Sequence, residues 1–441
     1  MDLTSRLRSI VRPPGAGTAA RPAVPRELTY EPDNGRRYEA VLDLDGVASA
    51  LGGVLLTTRF GGCLAIDRRY ESDRWHGDVQ VGDCEIEDVS TLSLLEPSFQ
   101  SAGRANGSAP RAVFLDLETT GLSGGAGTVA FLVGCGYFDG GAFQVRQFLL
   151  TSYSAERALL CAAAELLADA DLIVTYNGKT FDLPVMETRW AFHRMPAPFD
   201  DVPHFDMLHP ARRLWKERVD DGGCRLTTLE RILLNMRRVG DVDGFEIPGR
   251  FFQFLRTSDA RPLEPVLEHN RLDLVSLAAV TSRALRLASG GEEACRDARE
   301  ALPVGRVLER AGELARAEAC YRRAAGSPCV STRAEAFYRL GIRARRDRRF
   351  VEAAGWWREL LGVTEPPART EGTTELRQFA LEALAIHHEH RDGDLHAARE
   401  LALFAIGSAQ QTSRVADGMR HRLARLDRKL ASKKNAQLFE S

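Results

Sequence analysis

Residues 114–128 read FLDLETTGLSGGAGT: an apolar run carries two carboxylates and a glycine-rich stretch follows. Two uses are open for such a segment, a nucleotide cradled by the glycines or an ion held by the acids. A phosphate-binding loop needs a glycine, four residues and then Gly-Lys-Ser/Thr, so that the lysine reaches the phosphates. Here Gly121 is followed five residues later by Ala126, and GLSGGAGT contains no lysine. A dinucleotide fingerprint opens a helix directly after its strand. This stretch opens VAFLVG (129–134), a second strand-like run. The acids are the better candidates.

Asp116 and Glu118 stand two apart on a predicted strand, so both side chains leave one face while Leu115 and Leu117 take the other. Neighbouring like charges repel, and each costs several kcal/mol to desolvate unless it is paired or metal-bound. Mg²⁺ and Mn²⁺ prefer carboxylate oxygens and are the simplest partners. Two further acids join them. YNGKTFDLP (176–184) delivers Asp182 at a helix start, where an Asp also serves as an ordinary N-cap. LEHNRLDLVSL (267–277) sets His269 and Asp273 four apart, hence on one helix face, with Asp273 inside an otherwise apolar stretch.

The rest of the chain bounds what this centre belongs to. A length of 441 residues predicts two or three domains. A net charge of −2 excludes a globally basic nucleic-acid coat but leaves room for local basic patches. No stretch is long and apolar enough for a membrane span, so no membrane partner is expected. Eight cysteines lie scattered without a CxxC pair and without a secretory signal before them. They predict buried thiols in a reducing cytoplasm rather than disulfides or a zinc site.

Residues 1–28 are Arg-, Ala- and Pro-rich and predict a disordered tail; 29–105 predict a small β-rich region; SAGRANGSAPR (101–111) reads as coil. Residues 112–289 run strand, strand, strand, helix, strand, helix, which predicts an α/β domain with a mixed sheet flanked by helices. A hairpin is expected around Asp139-Gly140-Gly141, and Ser154 is the expected cap of the helix that follows. Residues 300–430 are all helical and repetitive: Ala317, Ala353 and Ala398 recur 36 and then 45 residues apart, the longer gap holding VTEPPARTEGTTE. The shorter step is close to the ~34 residues of a tetratricopeptide helix pair. Arg212, Arg213 and Lys216 read as a solvated basic helix face, Trp356 and Trp357 as repeat core, and Asp206 as a helix cap.

The three acidic segments, in this order, resemble the exonuclease motifs of the DEDD superfamily with its RNase H-like fold. The span 29–289, with DLETTGLSGGAGT, HFDMLHPARRLW and LEHNRLDLVSL, is similar to the bacterial YprB-like proteins of that fold, some of which carry C-terminal tetratricopeptide repeats. The resemblance implies a nuclease, a 3′–5′ exonuclease on DNA or RNA, using two Mg²⁺ or Mn²⁺ ions. Asp116 would bridge both ions, Glu118 and Asp273 would complete one site, and Asp182 would support the other, partly through water. His269 would take the proton of the attacking water. Thr119, Thr120 and Asn177 would lie near the substrate, and the helical repeats would recruit a protein partner. One departure stands out. The histidine-using branch places His five residues before the last Asp, a position held here by Glu268, whereas His269 is four before Asp273. One residue turns a helical side chain by about 100°. The competing expectation is an inert RNase H-like scaffold whose repeats bind proteins; such a scaffold has no physical need for four clustered carboxylates.

Overall fold

The computed structural model describes residues 43–99, 110–121, 127–219, 223–365, 371–408 and 414–440. The tail expected at 1–28, most of the linker expected as coil and the glycines Gly124 and Gly125 lie outside them. The first described helix, α1 (Leu44–Leu51), leads into the strands β1 (Val54–Thr58) and β2 (Gly61–Tyr70). A two-stranded ribbon, β3 (Trp75–His76) with β4 (Val79–Gln80), and a helical turn, α2 (Leu92–Leu95), follow.

Three long strands come next: β5 (Ala112–Thr119), β6 (Ala130–Asp139) and β7 (Ala142–Leu149). The β6–β7 turn forms where expected, with Gly140 at φ 57° and Gly141 at φ 75°. Only residues tolerant of positive φ close a two-residue hairpin of this kind. Then come α3 (Glu156–Leu167), β8 (Leu172–Thr175), α4 (Asp182–Phe192), the short β9 (His204–Asp206), α5 (Leu208–Trp215), α6 (Leu226–Leu233), α7 (Ile247–Thr257) and the 27-residue α8 (Glu264–Gly290). The cap expected from Ser154 is absent. A 3₁₀ turn at Tyr153–Ala155 leads into α3, and the Ser154 hydroxyl meets that of Ser152 at 2.9 Å instead.

The strands form one seven-stranded mixed sheet in the order β1-β2-β7-β6-β5-β8-β9. β5, β8 and β9 run parallel to one another and the remaining pairs are antiparallel. The β-rich segment before residue 105 therefore extends this sheet, β2 pairing with β7 from Leu64 against Leu149 to Tyr70 against Phe143. β5 is buried on both faces through Leu115; its pairing with β8 ends at Phe114, and beyond it Asp116 and Glu118 are half-buried while Leu117 and Thr119 stay buried.

Beyond the sheet the chain is helical: α9 (Ala298–Arg310), α10 (Leu314–Ala324), α11 (Val330–Arg346), α12 (Phe350–Val363), α13 (Glu371–His387), α14 (Leu395–Ser408) and α15 (Arg414–Glu440). Ala317, Ala353 and Ala398 are all buried, each on the second helix of a pair. A second repeat signal lies in the packing. A side chain added at Gly305 would collide with Tyr321, and one added at Gly341 with Trp357, so two helix pairs close on a glycine–aromatic contact. Trp356 stacks on Phe337 with ring centroids 5.9 Å apart, so both tryptophans serve packing. One apolar core runs from the sheet through Leu274 and Leu277 of α8 into Leu302, Val304 and Leu308 of α9 and on to Tyr321 and Leu340. All eight cysteines are free, six of them buried. Among the described residues no helix is long and apolar enough to cross a membrane.

Candidate active site

The acids of β5 sit where the strand meets α8. Asp116 lies opposite Gly134 of β6, and Glu118 opposite Leu132, just before a register shift between Glu118 and Thr119. Bulges of this kind re-aim side chains beside functional sites. Asn270 of α8 holds Asp116 in place: its Nδ2 donates to Asp116 Oδ2 at 2.7 Å, while its Oδ1 accepts from Gln147 Nε2 at 2.8 Å. Gly134 makes room for this contact, since a Cβ there would lie 2.1 Å from Asn270 Oδ1.

Asp182 is brought up by a tight turn at the end of β8. Asn177 adopts a left-handed conformation at φ 70°. The Asn177 and Lys179 N–H groups donate to Asp206 Oδ1 and Oδ2 at 2.8 and 3.1 Å. Asp206 also accepts from Leu208 N–H at 3.0 Å; the N-cap of α5 is Met207 rather than the expected Asp206, which instead meets the first helical N–H and anchors the turn before Asp182. Its charge is met by three backbone donors.

The acids of the cleft are compensated less completely. Burial raises the Asp116 carboxyl well above the usual carboxylate range, and repulsion from Asp273, Glu118 and Asp182 raises it further. Glu118 is raised by burial and by the charges of Asp273, Asp182 and Asp241, with the Arg238 charge opposing them. Burial pushes Asp182 up to about 7, with Asp206 and Asp273 adding repulsion against hydrogen bonds from its own and the Leu117 backbone. None of the three forms an ion pair among the described residues. Nor do any three His, Cys, Asp or Glu side chains there close into a ready cation cage.

Asp273 differs, because it has a cation. Arg238, on the segment between α6 and α7, donates to Asp273 Oδ1 and to buried Glu230, and reaches Asp241 Oδ2 at 3.2 Å. Burial still raises the Asp273 carboxyl, with the charges of Arg238 and His269 opposing it. His269 places Nδ1 2.7 Å from Asp241 Oδ1 and Nε2 3.6 Å from Asp273 Oδ2. Glu268 is half exposed and is held by Arg271.

The structure thus brings Asp116, Glu118, Asp182, His269 and Asp273 into one cleft. Thr119, Thr120 and Asn177 border it with their polar groups engaged locally. Thr119 donates to Gly121 O at 2.9 Å, Thr120 Oγ1 accepts from Val129 N–H at 3.1 Å, and Asn177 Oδ1 accepts from Thr180 at 2.8 Å. Asn270, Gln147, Arg238, Asp241 and Glu230 were not expected from the sequence. Their partners lie from 3 to 154 residues away, and no fixed spacing marks such pairs. On the basic helix face Arg213 is paired with Glu96, whereas Arg212 and Lys216 are exposed.

A mixed sheet presenting acids beside a long carboxylate-bearing helix is the arrangement of an RNase H superfamily domain, and the RNase_H_2 model of the RNase_H superfamily matches residues 113–285. Over 377 residues the chain is 30% identical to "Uncharacterized protein YprB" of Bacillus subtilis (strain 168), spanning 84% of this chain and 87% of that protein. The chain belongs to the YprB family. Among solved structures, the family B DNA polymerase of the hyperthermophilic archaeon Pyrobaculum calidifontis aligns at a TM-score of 0.33 and 15% identity, over 59% of this chain and 36% of the polymerase. The chain thus spans about a third of that polymerase's length.

Proposed function

We propose that the cleft hydrolyses phosphodiester bonds of DNA or RNA as a 3′–5′ exonuclease that uses two divalent cations. The observation that carries this reading is the set Asp116, Glu118 and Asp182: carboxylates from separate elements, buried together, raising one another's affinity for protons and lacking an ion pair among the described residues. Buried charge left uncompensated in this way costs stability, and a hard cation relieves it. The donor set, all carboxylate oxygen, fits Mg²⁺ or Mn²⁺. Asp116, Glu118, Asp182 and Asp273 would hold the ions, which when bound supply charge for the attacking and leaving oxygens.

The chain's own groups divide the remaining work. Asn270 fixes the rotamer of Asp116, so one carboxylate oxygen stays committed to a hydrogen bond and the other faces the cleft. Arg238 balances Asp273 without touching Asp116. His269 offers Nε2 on the cleft side as the proton acceptor for an attacking water. Thr119 and Thr120 shape the loop beside which the terminal nucleotide would sit. Residues 112–289 would be the catalytic domain, and the tetratricopeptide-like helices of 300–430 would dock a protein partner.

Purified protein should be incubated with end-labelled single- and double-stranded DNA and RNA in Mn²⁺, Mg²⁺ or EDTA, beside Asp116→Ala. Metal-dependent shortening from the 3′ end, lost in the variant, is the expected result. Equal cleavage by both proteins would mean a contaminant, and no cleavage by either would favour a scaffold.

A further inference from the structure

We propose that Asp241 is a positioning residue for His269, fixing the tautomer that leaves Nε2 bare toward the cleft. This rests on the nuclease reading above. The two residues lie 28 apart in sequence, one on the segment after α6 and the other on α8, and neither the motifs nor the helix spacing pairs them.

The contact decides the tautomer. Asp241 Oδ1 lies 2.7 Å from His269 Nδ1, a distance that a carboxylate and a bare ring nitrogen do not tolerate, so Nδ1 carries the hydrogen. Arg238 Nη1 also approaches Nδ1, but at 3.5 Å, and two donors form no bond there. With Nδ1–H committed to Asp241, the lone pair of the neutral ring is on Nε2, which faces Asp273 at 3.6 Å. A carboxylate that orients an imidazole in this way also stabilises the cation formed when the ring takes a proton.

Asp241 is itself fixed. Its second oxygen accepts from Arg238 Nη1 at 3.2 Å, and Arg238 is locked behind it by Glu230, whose side chain is 1% exposed. Glu230 anchors Arg238, Arg238 orients Asp241 and Asp273, and Asp241 orients His269. This relay answers the four-residue spacing. Position 268, which the five-residue pattern would use, points its Glu toward Arg271. The loop carboxylate comes to meet the histidine one position along, where the helix has turned it toward Asp241.

The test is Asp241→Asn, with Asp241→Glu as the conservative control, in protein carrying ¹⁵N-labelled histidine. Spectra recorded in EDTA along a rising pH series, read where the ring signals no longer move with pH, report the tautomer without any turnover; His269→Gln identifies the signal. The wild type should show Nδ1 protonated and Nε2 bare. Asn should shift the ring toward the opposite or a mixed tautomer, with the other nine histidine signals in place as a check on folding. In Mn²⁺, kcat should fall about 10–100-fold while KM and calorimetric Mn²⁺ affinity stay within about twofold, and Glu should recover most of the loss. An unchanged tautomer in Asn overturns the proposal. A changed tautomer with kcat intact overturns the positioning role and leaves the nuclease reading standing. A wild type with the expected tautomer but no cleavage under any condition overturns the nuclease reading and, with it, the catalytic role of Asp241.

Discussion

Two buried acidic centres in this chain follow opposite rules. In the helical region, Glu389 accepts from Arg422, Arg425 and Lys429 at 2.6 to 2.9 Å, so three cations surround one carboxylate. Those bonds outweigh its desolvation and hold its carboxyl down at about 2. In the cleft, Asp116, Glu118 and Asp182 lie together without an ion pair among the described residues, and all three are raised. Glu156 is likewise paired, with Arg189 and His193 at 2.5 and 2.7 Å. Buried acids that serve only the fold are neutralised by the fold. On the reading proposed above, a cluster left unneutralised would take its charge from a bound cation.

The largest effect expected from breaking this contrast is at Asp116. Asp116→Asn keeps the size of the side chain and removes a cation ligand, a loss of several kcal/mol of transition-state stabilisation and hence about 10³-fold in rate. The same change removes one repelling charge, so in EDTA the variant should melt at or above the wild-type temperature. A lower melting temperature, seen by calorimetry, would show that Asp116 is a structural group. Next comes Glu389→Gln, which strands three cations around a neutral amide. It should cost about 3 kcal/mol in chemical denaturation while nuclease activity in Mn²⁺ stays at the wild-type level.

The smallest effect is in pH, where the two centres pull in opposite directions. Glu389 titrates below its unfolded value, so its contribution is complete above about 4.5 and is lost as pH falls toward 2. Asp182 titrates above its unfolded value, so the folded form binds its proton more tightly than the unfolded chain does. Stability in EDTA should therefore fall as pH rises from about 4 to about 7. Melting curves across that window should show a decline of a few degrees, flattened in Asp182→Asn, and added Mn²⁺ should raise the melting temperature more at about pH 8 than at about pH 5.

Those features of the cleft that follow a local period were readable from the sequence. Asp116 and Glu118 share a face because a strand alternates, and His269 and Asp273 share one because a helix returns every 3.6 residues. Ala317, Ala353 and Ala398, singled out by their recurrence in the sequence, are all buried in the helical region. Contacts between distant segments carry no period. Nothing near Gln147 announces that it orients Asn270, 123 residues away, and nothing in the β1–β2 pair says that β7 is its partner. Gly134 looks like any glycine in a strand until Asn270 is placed against it. Arg238 escaped notice because arginines are common on this chain and only its depth, with a side chain 5% exposed, sets it apart.

The apolar interior that passes from α8 into α9, α10 and α11 is unbroken, with Leu277, Leu308 and Leu340 all belonging to it. Sheet and first helices are therefore welded instead of hinged. On the reading proposed above, cargo gripped by those helices would be held at a set bearing to the acidic cleft, and distance along the array would act as a ruler.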